Sequence, residues 1–267
     1  MNRLHLWGNT HFYEDLNQDK NETIVLVHGH PFTHTMWKYQ YGVLNDFRLV
    51  LPDLKGYGKT DYKFRKIYIE EHALDLAMLL DRLDIEQVHL IGLSMGTQII
   101  VEFARLFPHR IKSLVICAGS PRAENETSYN ERLTLAEQIS SEGMKAYTEQ
   151  DIHKYIHPET MKEKGEVYQH LYDMMVNTEM EDAAASHRGR AERRDNFDYL
   201  NRIEVPALVI AGKEDYFFEV SDVKEVAEQI PHSSFKINEQ SGHLPNMEQP
   251  DIFNSYLTEF YKENDFK

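Results

Sequence analysis

Val88-His89-Leu90-Ile91-Gly92-Leu93-Ser94-Met95-Gly96-Thr97 decides how the rest of the chain is read. It starts as an apolar strand, passes through a five-residue Gly-x-Ser-x-Gly turn, and runs on into Ile99, Ile100, Phe103, Ala104 and Phe107, apolar at helical spacing. A strand that turns directly into a helix at a serine lifts that hydroxyl above the sheet edge, at the positive end of the helix. The turn is tight, so Gly92 and Gly96 are needed where a Cβ would obstruct close backbone approach. An idle serine in a glycine-containing turn would show the same five residues. The strand before and the helix after favour Ser94 as a nucleophile.

Moving outward, strand and helix patterns alternate. Residues 3–16, with the turn signal Gly8-Asn9, read as an edge hairpin. Thr23-Ile24-Val25-Leu26-Val27 is a continuous apolar strand that enters His28-Gly29-His30-Pro31, and residues 36–44 read as a short helix. Phe47 to Leu51 is the next strand, ending in Pro52-Asp53. Residues 67–83 form a helix with Ala73, Leu76, Leu80 and Leu83 on one stripe. Ile111 to Ala118 is another buried strand. The alternation then stops: residues 121–195 are polar and helical, at about 128–142, 143–156, 165–177 and 179–194, punctuated by Gly143, Pro158 and Gly165. It resumes with the strand ending at Gly212, a helix at about 220–230, the strand Ser234 to Ile237 and a last helix at about 250–263. The pattern predicts an α/β protein: a mostly parallel eight-stranded sheet with helices on both faces, and a helical cap inserted after strand 6. Residues 1–120 and 196–267 would form the core domain and 121–195 the cap, with a ligand between the carboxyl ends of the strands and the cap.

A serine nucleophile needs a base, and the base an orienting carboxylate. Two loops after late strands supply them, Gly212-Lys213-Glu214-Asp215 and Ser241-Gly242-His243, giving the chain order Ser94, Asp215, His243. Glu214 and, after the strand ending at Ala118, Glu124 are the competing acids; Asp215 is preferred. Asp53 reads as a residue that ties down its own loop.

These pieces carry a resemblance. His28-Gly29-His30-Pro31, Asp53-x-x-Gly56-x-Gly58-x-Thr60, Gly92-x-Ser94-x-Gly96, Gly212-Lys213-Glu214-Asp215 and Gly242-His243 span almost the whole chain, and in this order they resemble the α/β-hydrolase superfamily, in its cap-bearing, esterase-like branch. Gly189-Arg190-Ala191-Glu192-Arg193-Arg194-Asp195 further resembles 3-oxoadipate enol-lactonases and related carboxylesterases. The resemblance implies an α/β-hydrolase fold, and a triad in which Ser94 attacks, His243 moves the proton and Asp215 orients His243. It also implies an oxyanion hole from the backbone N–H groups of Met95 and His30. His30 stands where the superfamily usually has an apolar or aromatic residue, and Tyr216-Phe217-Phe218 stands where small-Pro often follows the acid. Serine at 94 argues against haloalkane dehalogenases and epoxide hydrolases, which place aspartate there.

The expected activity is cofactor-independent hydrolysis of a small carboxylic ester or lactone. Carbon–carbon hydrolysis with the same triad, or a hydrolase-fold receptor that binds a signalling ligand, would leave much the same sequence. The 29 Lys and Arg against 44 Asp and Glu, net −15, argue against nucleic acid as a partner. The single cysteine, Cys117, lies in an apolar run and excludes an internal disulfide framework. No run has membrane-span length and no leader is visible at the N-terminus, so a cytoplasmic protein with no membrane partner is expected. His28, His30 and His34 cluster and His153 and His157 are four apart on an expected helix, but there is no His-Glu-x-x-His, and no metal is expected. Gly56-Tyr57-Gly58 lacks the rest of a dinucleotide fingerprint. Met174, Met175, Tyr168 and Tyr172 read as helix core. Oligomeric state stays open.

Overall fold

The computed structural model describes residues 2–266; Met1 and Lys267, the ends of the expected core domain, lie outside the described residues. Eight strands form one sheet: β1 (Asn2–Leu6), β2 (Asn9–Leu16), β3 (Thr23–Val27), β4 (Arg48–Asp53), β5 (Val88–Leu93), β6 (Ile111–Cys117), β7 (Ala207–Gly212) and β8 (Ser233–Asn238), in the order β1-β2-β4-β3-β5-β6-β7-β8. The β1–β2 and β2–β4 pairings are antiparallel and the rest parallel. Every residue of β3, β5 and β7 is buried, which is why these strands read as near-continuous apolar runs, His89 of β5 excepted.

Alternate residues of β3 feed two cores. Ile24 and Leu26 pack with Phe253 and Leu257 of the terminal helix on one face. Val25 and Val27 pack on the other with Leu76, Leu80, Ile99 and Phe103. The covering helices are α1 (Ile69–Arg82) and α2 (Met95–Leu106). Between β6 and β7 lie α3 (Glu126–Asp151), α4 (Pro158–Glu163), α5 (Gly165–Val176) and α6 (Met180–Ala191). After β7 come α7 (Val220–Gln229), α8 (Pro245–Glu248) and α9 (Pro250–Glu263). Among the described residues, no helix is long and apolar enough to cross a membrane.

Three local readings need correction. Residues 36–44 do not form the expected helix: a 3-10 turn spans His34–Trp37 and turns follow. Asn246 Nδ2 donates to the Met36 carbonyl at 2.9 Å, so Gln40 N–H bonds Trp37 O instead, and the Gln40 side chain reaches Asn246 O and Asn254. Tertiary bonds outweigh local propensity here. The second cap helix is shorter than expected. It breaks from the first at Gly143, whose φ is +84°, ends at Asp151, and passes into a 3-10 turn over Ile152–Lys154. Pro158 then starts α4, which the sequence pattern does not foreshadow, and His157 caps it by accepting from Glu159 N–H at 3.2 Å. His153 and His157 therefore do not share a helix.

Candidate active site

The β5–α2 junction holds Ser94 at φ 57°, ψ −114°, a conformation that costs an L-residue on the order of 1–3 kcal/mol. Neighbouring backbone enforces it. Ser94 N–H donates to Cys117 O at 2.9 Å, and Thr97 Oγ1 bridges Gly92 O and Cys117 O, both at 3.1 Å. A Cβ on Gly96 would run into Val27 O, so the elbow can sit this close to β3 only with glycine there. Cys117 is buried, its thiol pushed up by desolvation, and behaves as a small apolar residue.

Two loops from adjacent strands bring Asp215 and His243 together. Gly212 lies so close to Gly242 O that a side chain would not fit, and Glu214 N–H donates to Ser241 O at 3.0 Å. His243 Nδ1–H then donates to Asp215 Oδ2 at 2.9 Å, with both side chains only 1% exposed. The second carboxylate oxygen accepts the Phe217 N–H at 2.8 Å. Rings of Phe217, Tyr155 and Phe218 pack around His243 with centroids 4.8, 5.9 and 6.1 Å away. Ser94 and His243 line the same cavity of about 870 Å³. Among the described residues no hydrogen bond joins the Ser94 hydroxyl to His243, and such bonds are often loose without substrate.

The competing acids are placed elsewhere. Glu214 is exposed. Glu124 is buried between Arg132 and Arg193 and ion-paired with both. Although burial opposes its charge, the two guanidinium groups and bonds from Ser128 and Arg132 hold its carboxyl down at about 2.

His30 and Met95 flank the elbow. Neither backbone N–H donates to another protein group among the described residues. Their side chains meet at Tyr57, whose hydroxyl lies 2.8 Å from His30 Nδ1, 2.6 Å from Ser186 Oγ of α6 and 3.8 Å from Met95 Sδ. The other histidines of the early cluster have separate roles. His28 Nε2 accepts Leu54 N–H at 3.0 Å, and burial lowers that imidazole to about 4. His34 donates from its ring Nδ1 to Asp53 Oδ1 at 2.7 Å. Asp53 also accepts the backbone N–H of His34 and of Lys59, at 3.0 Å each, and so ties down its loop.

The helices between β6 and β7 contribute the remaining wall. Tyr147, Arg132, Lys154, His187, Arg190 and Arg193 all face the cavity. Met174 and Met175 are core residues, and Tyr168 and Tyr172 pack against that core. Sequence reasoning missed Tyr57, Ser186, His187 and Arg190 as residues of the site. The available signal was the expected helix over 179–194, which would set Arg190 and Arg193 on one face; the observed helix ends at Ala191, two residues before Arg193.

Residues 22–250 match the family model of the alpha/beta hydrolase fold. The chain is 27% identical over 243 residues to 3-oxoadipate enol-lactonase 2 of Acinetobacter baylyi, covering 91% of this chain and 89% of that one. It is 28% identical over 271 residues to a 2-hydroxy-6-oxononadienedioate/2-hydroxy-6-oxononatrienedioate hydrolase of Paraburkholderia phymatum, covering 93% and 89%. Among solved structures, a thermophilic esterase from Thermogutta terrifontis, with malate bound, superposes with a TM-score of 0.93 at 31% identity, covering 98% of this chain and 99% of that one. An eight-stranded, mostly parallel sheet, an elbow serine and a match over most of its length make this chain a member of the α/β-hydrolase family of enzymes.

Proposed function

We propose that the protein is a serine hydrolase that cleaves a small carboxylic ester or lactone through an acyl-enzyme, with residues 121–195 acting as a cap over the reacting centre. The observation that carries this reading is the 2.9 Å bond from His243 Nδ1–H to Asp215 Oδ2, which leaves Nε2 of the ring as the basic nitrogen in the cavity that Ser94 lines.

In this reading Ser94 Oγ attacks the acyl carbon while His243 Nε2 takes its proton. The carbonyl oxygen gains the negative charge and accepts hydrogen bonds from the free backbone N–H groups of Met95 and His30, each worth about 3 kcal/mol in the transition state. Collapse expels the alcohol oxygen, which takes the proton back from His243. Water, deprotonated by the same nitrogen, then releases the acid and restores Ser94. Asp215 fixes the tautomer and stabilises the imidazolium throughout. No step requires a cofactor.

A hydrolysis screen across acyl chain length, with lactones included, tests the reading together with fluorophosphonate labelling. Sustained turnover with covalent label on Ser94 is the expected result. A single slow turnover would favour a receptor, and turnover confined to dienoic ketones would favour carbon–carbon cleavage.

A further inference from the structure

We propose that Arg190 and His187, on the wall of the Ser94 cavity, form a subsite for a carboxylate carried by the substrate, so that the ester or lactone hydrolysed is itself an acid. The inference rests on the hydrolase reading above and names its substrate class.

Arg190 is 6% exposed and lines the cavity. Among the described residues it has no carboxylate ion-pair partner, and its Nε is buried without a hydrogen-bond partner. Its neighbours at the wall differ. Arg132 and Arg193 share Glu124, and Lys154 is held by Asp151 at 2.8 Å. His187 is 3% exposed with both ring nitrogens unpartnered, and its ring meets that of His30 at 4.4 Å between centroids. Burial, with the neighbouring arginines, holds His187 well below the usual imidazole range, so it is a neutral ring with one N–H to give. Burial and the adjacent Arg132 and Arg193 lower Arg190 itself to about 9.

A buried cation without a partner is costly, and proteins keep such groups where a ligand completes them. The guanidinium presents a planar fork that matches a carboxylate in bidentate fashion. The charge balance selects a monoanion. The cavity wall carries Arg132, Lys154, Arg190 and Arg193 against Glu124, Glu131 and Asp151, which leaves one positive charge for the ligand. This local excess stands inside a chain whose net charge is −15, so the wall is not a reflection of overall composition.

The test compares monomethyl succinate, glutarate and adipate with neutral methyl esters of equal length. The parent enzyme should prefer the best acid by about 100-fold in kcat/KM, because the neutral ester leaves a buried polar group unpaired. Arg190→Met should bring that ratio close to one, and Arg190→Lys should keep part of it. The ligand-free Arg190→Met protein should melt about 2–4 °C higher, because it no longer buries an unpaired charge. A parent with no preference for acids overturns the proposal, as does a ratio that Arg190→Met leaves intact. An Arg190→Met protein that melts lower and loses acid and neutral esters alike assigns Arg190 to the fold and also overturns it. Calorimetric binding of the same half-esters to Ser94→Ala reads the subsite without turnover. Failure of the hydrolase reading would thus appear as binding without hydrolysis, and failure of the subsite as hydrolysis without acid preference.

Discussion

The sheet edge and the helical segment above it are built on opposite rules. At the sheet edge each residue of the candidate triad is positioned by backbone or by a buried carboxylate. Ser94 is held by Cys117 O, His243 by Asp215, and Asp215 by the Phe217 N–H. In the helical wall, polar groups stand unpaired: Arg190 Nε and both nitrogens of His187 lack partners. The first region is positioned without a ligand, as preorganisation requires of the proposed reacting centre. In the proposed reading the second is completed by one. On the proposed function, the difference separates the part of the protein that would set the reaction from the part that would set the substrate.

The sharpest way to break this division is at Ser94. Ser94→Ala should lower kcat by about 10⁶-fold, as removal of the nucleophile does in a serine protease. It should also abolish fluorophosphonate labelling and leave the melting temperature within a few degrees, since alanine keeps the buried Cβ and removes only the hydroxyl. Label retained in the alanine variant would place the nucleophile elsewhere. Asp215→Asn follows, with an expected loss of about 10⁴-fold from the wrong histidine tautomer. Glu214→Gln, exposed and unbonded to His243, should stay within about threefold of the parent. If Glu214→Gln and Asp215→Asn cost the same, the 2.9 Å bond does not orient the base.

The two regions were also unequally legible in the sequence. Near-continuous apolar strands and the glycines beside Ser94 are demanded by the sheet itself, so β3, β5, β6 and β7 and the order Ser94, Asp215, His243 could be read directly. Asp215 could be preferred to Glu124 on chain position, but the reason Glu124 is unavailable is its burial between Arg132 and Arg193, a tertiary fact. Tyr57 looked like part of a glycine-rich loop, and nothing local ties it to Ser186, 129 residues away. Arg190 stood out only as one residue of the run from Gly189 to Asp195. Its missing partner is visible only once α3 and α6 pack together, because an absence of contact has no sequence pattern.

Acid should separate the regions by stability. His11, His28 and His89 each sit at about 4, driven down chiefly by burial from the usual 6.5. They are neutral in the folded protein and take up protons on unfolding below pH 6.5, so the unfolded state binds more protons and stability falls as pH drops from 6.5 to 4. The combined loss is on the order of several kcal/mol, because each tenfold difference in proton affinity between the folded and unfolded states is worth about 1.4 kcal/mol. Glu124 has the opposite chemistry but the same sign of slope, further down. Its folded value of about 2 lies below its unfolded one, so its contribution is present above pH 4.5 and is lost as pH falls toward 2. Denaturant midpoints across pH 8 to 3 should therefore fall most steeply between 6.5 and 4, with Glu124→Gln changing the profile only below about 4.5. A flat profile between pH 6.5 and 4 would show that these imidazoles are not kept neutral by the fold.

The smallest effect tests where the two regions join. Tyr57 is the link: its hydroxyl touches His30 and Met95 on the sheet side and Ser186 on the helical side. It reaches no reacting atom, so in the proposed mechanism it would act as a positioning residue for the backbone N–H groups of His30 and Met95. Tyr57→Phe leaves His30 Nδ1 without its partner in a buried site and frees Ser186 of α6. Loosening an oxyanion donor costs less than deleting one, so kcat should fall about tenfold while KM changes less than about twofold. Ser186→Ala should reproduce part of that fall, because it removes the helical anchor of the same hydroxyl. A purely structural role would instead lower the melting temperature without changing kcat of the folded fraction. A rise in KM alone would place Tyr57 among the groups that bind substrate in its ground state, and would move the boundary between the two regions to the sheet side of Tyr57.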